Sequence, residues 1–308
     1  MRDEKKRGSR NAERGSKNSS AFSIPRSSLA FIPHPSSLIL PKKRFGQNFL
    51  VDERVIERII EEVSPRADET IVEIGSGRGA LTSRLVERAG RLVAVEYDRD
   101  LVPLLREKFG ARENFILIEA DALSIDLCAA LAPATQVRVV ANLPYYISTA
   151  ILQRLIEQRA CLTEMVLMLQ REVVERICAP PASSERGFLS VLVEAYCEAE
   201  TLFDVAPTAF RPVPKVWSSV VRLRLRRRIA IEIGDENLLW RIVSAGFAQR
   251  RKTIFNNLRH APSELLARIE KAGGADRVLE GAGVVPQRRA ETLTLEEWGR
   301  VARVLAAS

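Results

Sequence analysis

The chain has 308 residues, 46% hydrophobic and 28% charged, the balance of an ordinary globular protein rather than a disordered or fibrous one. No run approaches the roughly 18 consecutive apolar residues of a membrane span; four scattered cysteines with no C-x-x-C pair and only two histidines speak against a zinc site, a disulfide framework and Ser-His-Asp catalysis, and fit a reducing cytoplasm with no metal. The net charge of +8 is unevenly spread: +8 over residues 1–44, −9 over 45–205 and +9 over 206–308, so the ends suit phosphates and the middle suits a cationic cofactor.

Residues 1–41, rich in Ser, Arg, Lys and Pro and without a helical or strand period, read as a disordered basic extension. From about Asp52 the pattern becomes regular. Val55, Ile56, Ile59, Ile60 and Val63 recur at helical spacing. Thr70–Ile74 predicts a buried strand stopped by the turn Gly75-Ser76-Gly77-Arg78-Gly79, and Ala80–Arg88 a helix. Arg91–Glu96 predicts a second strand, Asp100–Phe109 a helix, Phe115–Ile118 a third strand, Val137–Ala141 a fourth, and Ser148–Gln158 a helix with Ser148 as its N-cap. Met165–Leu169 predicts a fifth strand, and Trp217–Leu225 a late antiparallel strand at the sheet edge. Strands alternating with helices imply an α/β fold with a parallel sheet covered on both faces. After Arg228 the stretches Leu238–Phe247, Leu265–Lys271 and Leu295–Leu305 predict a small helical domain. The expected organisation is an extension (1–41), a catalytic α/β domain (42–230) and a helical domain (231–308).

In an open parallel sheet, ligands bind beyond the carboxyl ends of the strands. Gly75, Gly77, Glu96, Asp121 and Asn142 all fall there. The glycines permit a tight turn with close backbone approach. Glu96, 21 residues after Gly75, suits acceptance from both ribose hydroxyls, and Asp121 suits an adenine amino group. The pattern is G-x-G-x-G, which points away from a pyrophosphate and towards a nucleoside that donates a methyl group. Asn142-Leu143-Pro144-Tyr145 then suits the acceptor. The Asn142 side-chain oxygen and the Leu143 carbonyl would accept from the exocyclic amine of a flipped adenine, Pro144 fixes the chain direction, Tyr145 stacks on the base, and Tyr146 or Phe210 covers its other face.

Six segments in order resemble the small-subunit ribosomal RNA adenine dimethyltransferases: Lys43–Leu50, Val72–Gly77, Asn142–Ser148, Met168–Val173, Phe210–Val216 and Gln249–Ile254. The resemblance runs from Lys42 to about Glu297. It implies a Rossmann-like methyltransferase domain followed by an all-helical one, S-adenosyl-L-methionine as donor, and cofactor contacts at Gln47, Asn48, Leu50, Gly75, Gly77, Glu96, Asp121 and Asn142. It also implies two adjacent adenosines in the 3′-terminal hairpin loop of small-subunit rRNA as target, each methylated twice in a partly assembled subunit; a monomer is the default expectation. Ser76 stands where family members often have proline. In that context Arg222, Arg224, Arg250, Arg251 and Lys252 are expected to meet RNA phosphates, the last three on a helix. The competing readings are a large-subunit rRNA adenine methyltransferase of the antibiotic-resistance type, a DNA adenine methyltransferase, and a non-catalytic RNA-binding assembly factor.

Overall fold

The computed structural model describes residues 47–307. The expected extension and Lys43–Gly46 of the first signature lie outside the described residues. A seven-stranded sheet has the order β4-β3-β2-β5-β6-β9-β7, with β2 Thr70–Ile74, β3 Arg91–Glu96, β4 Phe115–Glu119, β5 Val137–Asn142, β6 Leu162–Gln170, β7 Cys197–Val205 and β9 Ser218–Leu225. β2 to β6 run parallel, and β9 is antiparallel to both β6 and β7. The short strands β1 Phe49–Leu50 and β8 Phe210–Arg211 pair separately, with Leu50 opposite Phe210.

The central strands read as continuous apolar runs because helices cover both faces. Their period of two sorts the side chains. Val72, Ile74, Val93, Val95, Val139 and Ala141 enter one buried cluster. Ile71, Leu92, Ala94 and Val140 enter the other, packed with Ile56, Ile59 and Ile60 of helix Glu53–Val63. The boundary expected at 230 falls between β9 and helix Glu236–Gly246. One apolar cluster continues across it, joining Val191 and Ala195 beside the sheet to Leu239, Ile242 and Trp298 of the C-terminal helices.

Three expectations are corrected. β9 is antiparallel but not at the edge, because β7 covers it. β7 carries Glu198 and Glu200 on exposed positions, so it lacks an apolar signature; on the sheet those acids lie opposite Arg224 and Arg222. Ser148 is the first helical residue rather than the cap, and its hydroxyl donates back to the Tyr145 carbonyl at 3.1 Å. Cys128 and Cys161, 33 residues apart, form a disulfide, with Cα atoms 5.5 Å apart. The fold brings the helix Leu127–Leu131 against the start of β6, which sequence spacing does not reveal.

Candidate active site

The strand order reverses beside β2, whose neighbours are β3 on one side and β5 on the other. Gly75 follows β2 and Asn142 ends β5, so both lie at the switch point where ligands bind open α/β sheets. A cavity of about 340 Å³ opens there. Gln47, Asn48, Leu50, Gly75, Gly77, Glu96, Asp121, Asn142, Leu143, Pro144, Tyr145 and Tyr146 all line it. Residues spread over a hundred positions of sequence thus meet in one hollow.

The glycine turn is needed as glycine. Gly75 and Gly77 have φ of 72° and 58°, and a Cβ on Gly77 would come within 3.3 Å of the Phe49 ring. The Glu96 carboxylate accepts from the Gly77 amide (2.9 Å) through one oxygen and from the Tyr97 (2.9 Å) and Asp98 (2.8 Å) amides through the other. Burial raises its pKa, while those three amides pull it back. The acid expected to hold a ribose is therefore locked to the glycine turn before any ligand arrives. One Asp121 oxygen accepts from the Leu123 amide (2.9 Å), which closes a turn at the cavity wall.

The first signature reaches the same cavity from the other end of the chain. Gln47 donates to Asp98 (2.8 Å), a buried acid that sequence reasoning missed although it stands two residues after Glu96. The Asn142 side-chain amide donates to the Asn48 carbonyl (3.3 Å). A carbonyl can face only the NH2 end of that amide, so the Asn142 Oδ1 is turned away and kept as an acceptor. Tyr145 is held by its hydroxyl against the Ser218 Oγ at 2.6 Å, and burial pushes its pKa up.

Phe210 does not join the site. It is fully buried in the core with Val140, Val166 and Met168, and its strand clamps β1 in place. The expectation that it stacks on a base is corrected: its side chain is fully buried in the core cluster that also holds Leu50, and it does not line the cavity. Arg222 is corrected too. Its guanidinium lies 2.9 Å from Glu62, 3.2 Å from Glu200 and 3.7 Å from Glu164, and Arg224 pairs with Glu164 (3.4 Å) and Glu200 (3.6 Å). Arg222 and Arg224 lie opposite Val166 and Glu164, towards the amino ends of the parallel strands and away from the cavity. Arg250, Arg251 and Lys252 occupy the turn before helix Ile254–Arg259 rather than a helix; all three are exposed, with Arg250 donating to the Ser184 carbonyl.

A buried acid beneath the glycine turn also escaped the sequence reading. Glu73 is 2% exposed and accepts from the Thr82 hydroxyl at 2.5 Å. Burial pushes its carboxyl up to about 7, against the pull of Thr82 and of a looser contact with Ser76, whose buried hydroxyl makes no full hydrogen bond. The folded protein therefore keeps this proton up to about pH 7, whereas the unfolded chain loses it near the ordinary 4.5. Stability from this group is greatest below 4.5, falls as pH rises to about 7, and is level above. Glu73→Gln retains an acceptor for Thr82 without a proton to lose. It is expected to remove a loss on the order of 3 kcal/mol between pH 4.5 and 8. Urea midpoints of both proteins at the two pH values check this; parallel pH dependence would place the titrating group elsewhere.

A family model described as ribosomal RNA adenine dimethylase matches residues 40–300. The chain belongs to that family. A ribosomal RNA small subunit methyltransferase A of Hahella chejuensis is 42% identical over 261 residues, covering 85% of this chain and 91% of its own. A protein of the same name from Clostridium botulinum strain Loch Maree is 40% identical over 259 residues, covering 84% and 92%. Among solved structures, a dimethyladenosine transferase from Plasmodium falciparum shares the fold of this dimethylase, with TM-score 0.69 at 22% identity over 82% of this chain and 95% of that one. The 23S rRNA methyltransferase ErmE aligns with TM-score 0.61 at 28% identity over 84% and 100%. Among the described residues of the dimethylase, no helix is long and apolar enough to cross a membrane.

Proposed function

We propose that the chain transfers methyl groups from S-adenosylmethionine to the exocyclic amines of two adjacent adenosines in the 3′-terminal hairpin loop of small-subunit rRNA. Its substrate is a partly assembled small subunit in the cytoplasm, and it acts as a monomer with its helical C-terminal part and the exposed Arg250–Lys252 turn facing RNA. Family membership and the 40–42% identity to proteins named small-subunit methyltransferase A support this reading over a large-subunit target. The observation that carries it is the Asn142 amide, oriented by the Asn48 carbonyl on the wall of the glycine-turn cavity.

The cavity suits the donor: an acid fixed at Glu96, a turn whose glycines leave room at the backbone, and Asp121 in the lining. When bound, S-adenosylmethionine supplies an electrophilic methyl group on sulfur. The protein's part is mostly positioning, since in-line displacement gains chiefly from holding the reactants close and aligned. Adenine's amine is a weak nucleophile because its lone pair is delocalised into the ring. Acceptance of its protons by the Asn142 Oδ1 and the Leu143 carbonyl localises that lone pair. Leu143 is anchored by its own amide on the Met168 carbonyl (3.2 Å), and Tyr145, pinned by Ser218, offers a ring to the base. Radiolabelled methyl transfer to unmethylated small subunits tests the proposal, with large subunits and duplex DNA as controls. Label in two adjacent adenosines near the 3′ end is expected; label only in large subunits would overturn the target.

A further inference from the structure

A target base turned into the cavity leaves its neighbours on the strand at the cavity mouth, deprived of a stacking partner. Tyr146 lines that cavity, and the segment leading into β9 exposes further large apolar side chains. Tyr146 is 58% exposed, and the segment after β8 exposes Val213 (54%), Val216 (40%) and Trp217 (47%). The other two tryptophans have partners: Trp298 is fully buried, and the partly buried Trp240 packs against Phe188 and Tyr196. An indole left half in water within an apolar patch marks a contact surface.

Two hydrogen bonds place Trp217 beside the active site. Its carbonyl accepts from the Arg171 amide (3.0 Å) where β6 ends, and the next residue, Ser218, holds the Tyr145 hydroxyl (2.6 Å). The segment itself carries positive charge. Residues 211–217 contain Arg211 and Lys215 and no acid. Arg211 is held by the carbonyls of Thr208 and Phe210, which leaves its charge unneutralised, and Lys215 is exposed without an ion pair among the described residues. Arg171 nearby is paired with Glu175 at 3.3 Å. Aromatic faces interleaved with cations are what unpaired nucleotides need: stacking for the bases and charge for the phosphates.

We propose that Trp217, with Tyr146, is the stacking platform for the unpaired nucleotides that flank the target adenosine, with Lys215 and Arg211 meeting their phosphates. The platform rests on the proposed function and adds a substrate-binding residue to it. Its backbone is tied to the cavity wall through Ser218, whose hydroxyl meets Tyr145, and this favours the strand that enters the cavity over a separate partner.

The test measures binding of an unmethylated RNA hairpin with a single-stranded adenosine loop to the full chain without donor, by tryptophan fluorescence and by filter retention. Wild-type fluorescence is expected to be quenched on binding. Trp217→Ala should lose that quenching and bind about 10-fold more weakly, and Trp217→Tyr should stay within about threefold of wild type. Affinity of Trp217→Ala within about twofold of wild type would overturn the platform. So would weaker binding of that variant to small subunits alone with unchanged hairpin affinity, which would assign the patch to a protein contact. Trp217-dependent hairpin binding by a wild-type chain that methylates no small subunit would support the platform and remove the methyl-transfer reading, so the two fail separately.

Discussion

Asn142→Ala is expected to lower methyl transfer on the order of 1000-fold while leaving affinity for small subunits within about threefold of wild type. The size of the effect follows from what the side chain does. Its NH2 end is occupied by the Asn48 carbonyl at 3.3 Å, so the oxygen is presented to the acceptor amine in a fixed direction. Alanine removes both the acceptor and the tie between the first signature and β5. Affinity for the particle depends instead on shape and phosphate contacts spread over a much larger surface. Single-turnover methyl transfer with saturating subunits separates the two quantities. Turnover near the wild-type rate would remove Asn142 from the chemistry.

Arg138→Met is expected to cost about 3–5 kcal/mol of stability with little effect on the active site. Arg138 lies on β5, 3.1 Å from Glu69 and 2.7 Å from Glu164, with the Glu69 side chain only 5% exposed. These residues sit at the amino ends of the parallel strands, opposite the cavity. Removing the guanidinium leaves the buried Glu69 carboxylate with only the Arg66 amide (2.7 Å) and a loose 3.9 Å approach of the Arg66 guanidinium. Adding Glu69→Gln to Arg138→Met should recover part of the loss, because the poorly compensated buried charge then disappears. Urea unfolding of the two single variants and the double variant measures this coupling. Equal midpoints for Arg138→Met and wild type would mean that solvent already screens Glu69.

The Arg138 network also explains why the charge runs misled. Arg222 and Arg224 lie in a basic run of the sequence, and the run suggested phosphate contacts. On the sheet they face Glu62, Glu164 and Glu200, acids contributed by a distant helix and two neighbouring strands. Linear charge density does not report which residues β-pairing places opposite one another. The same blindness hid β7: its acids mark an exposed edge in sequence but serve as cross-strand partners in the fold. Phe210 failed for a different reason. A phenylalanine next to a functional signature reads equally as a stacking ring or as a core residue, and only its complete burial away from the cavity lining decides for the core.

The sequence by itself determined the α/β class, the succession of five parallel strands, and the positions of Gly75, Glu96, Asp121 and Asn142 at strand ends. Each of these depends on local rules: apolar runs bounded by turn residues, glycine where φ is positive, and acids or amides at fixed distances after a strand. Tertiary structure alone decided what crosses between segments. The Asn48 carbonyl orients Asn142 across 94 positions, Ser218 pins Tyr145 across 73, Cys128 meets Cys161, and Trp217 stays exposed next to Ser218. These contacts depend on which strands become neighbours and in which register. That choice is made by burial of both faces of the sheet at once, a property of the whole chain that no local window contains.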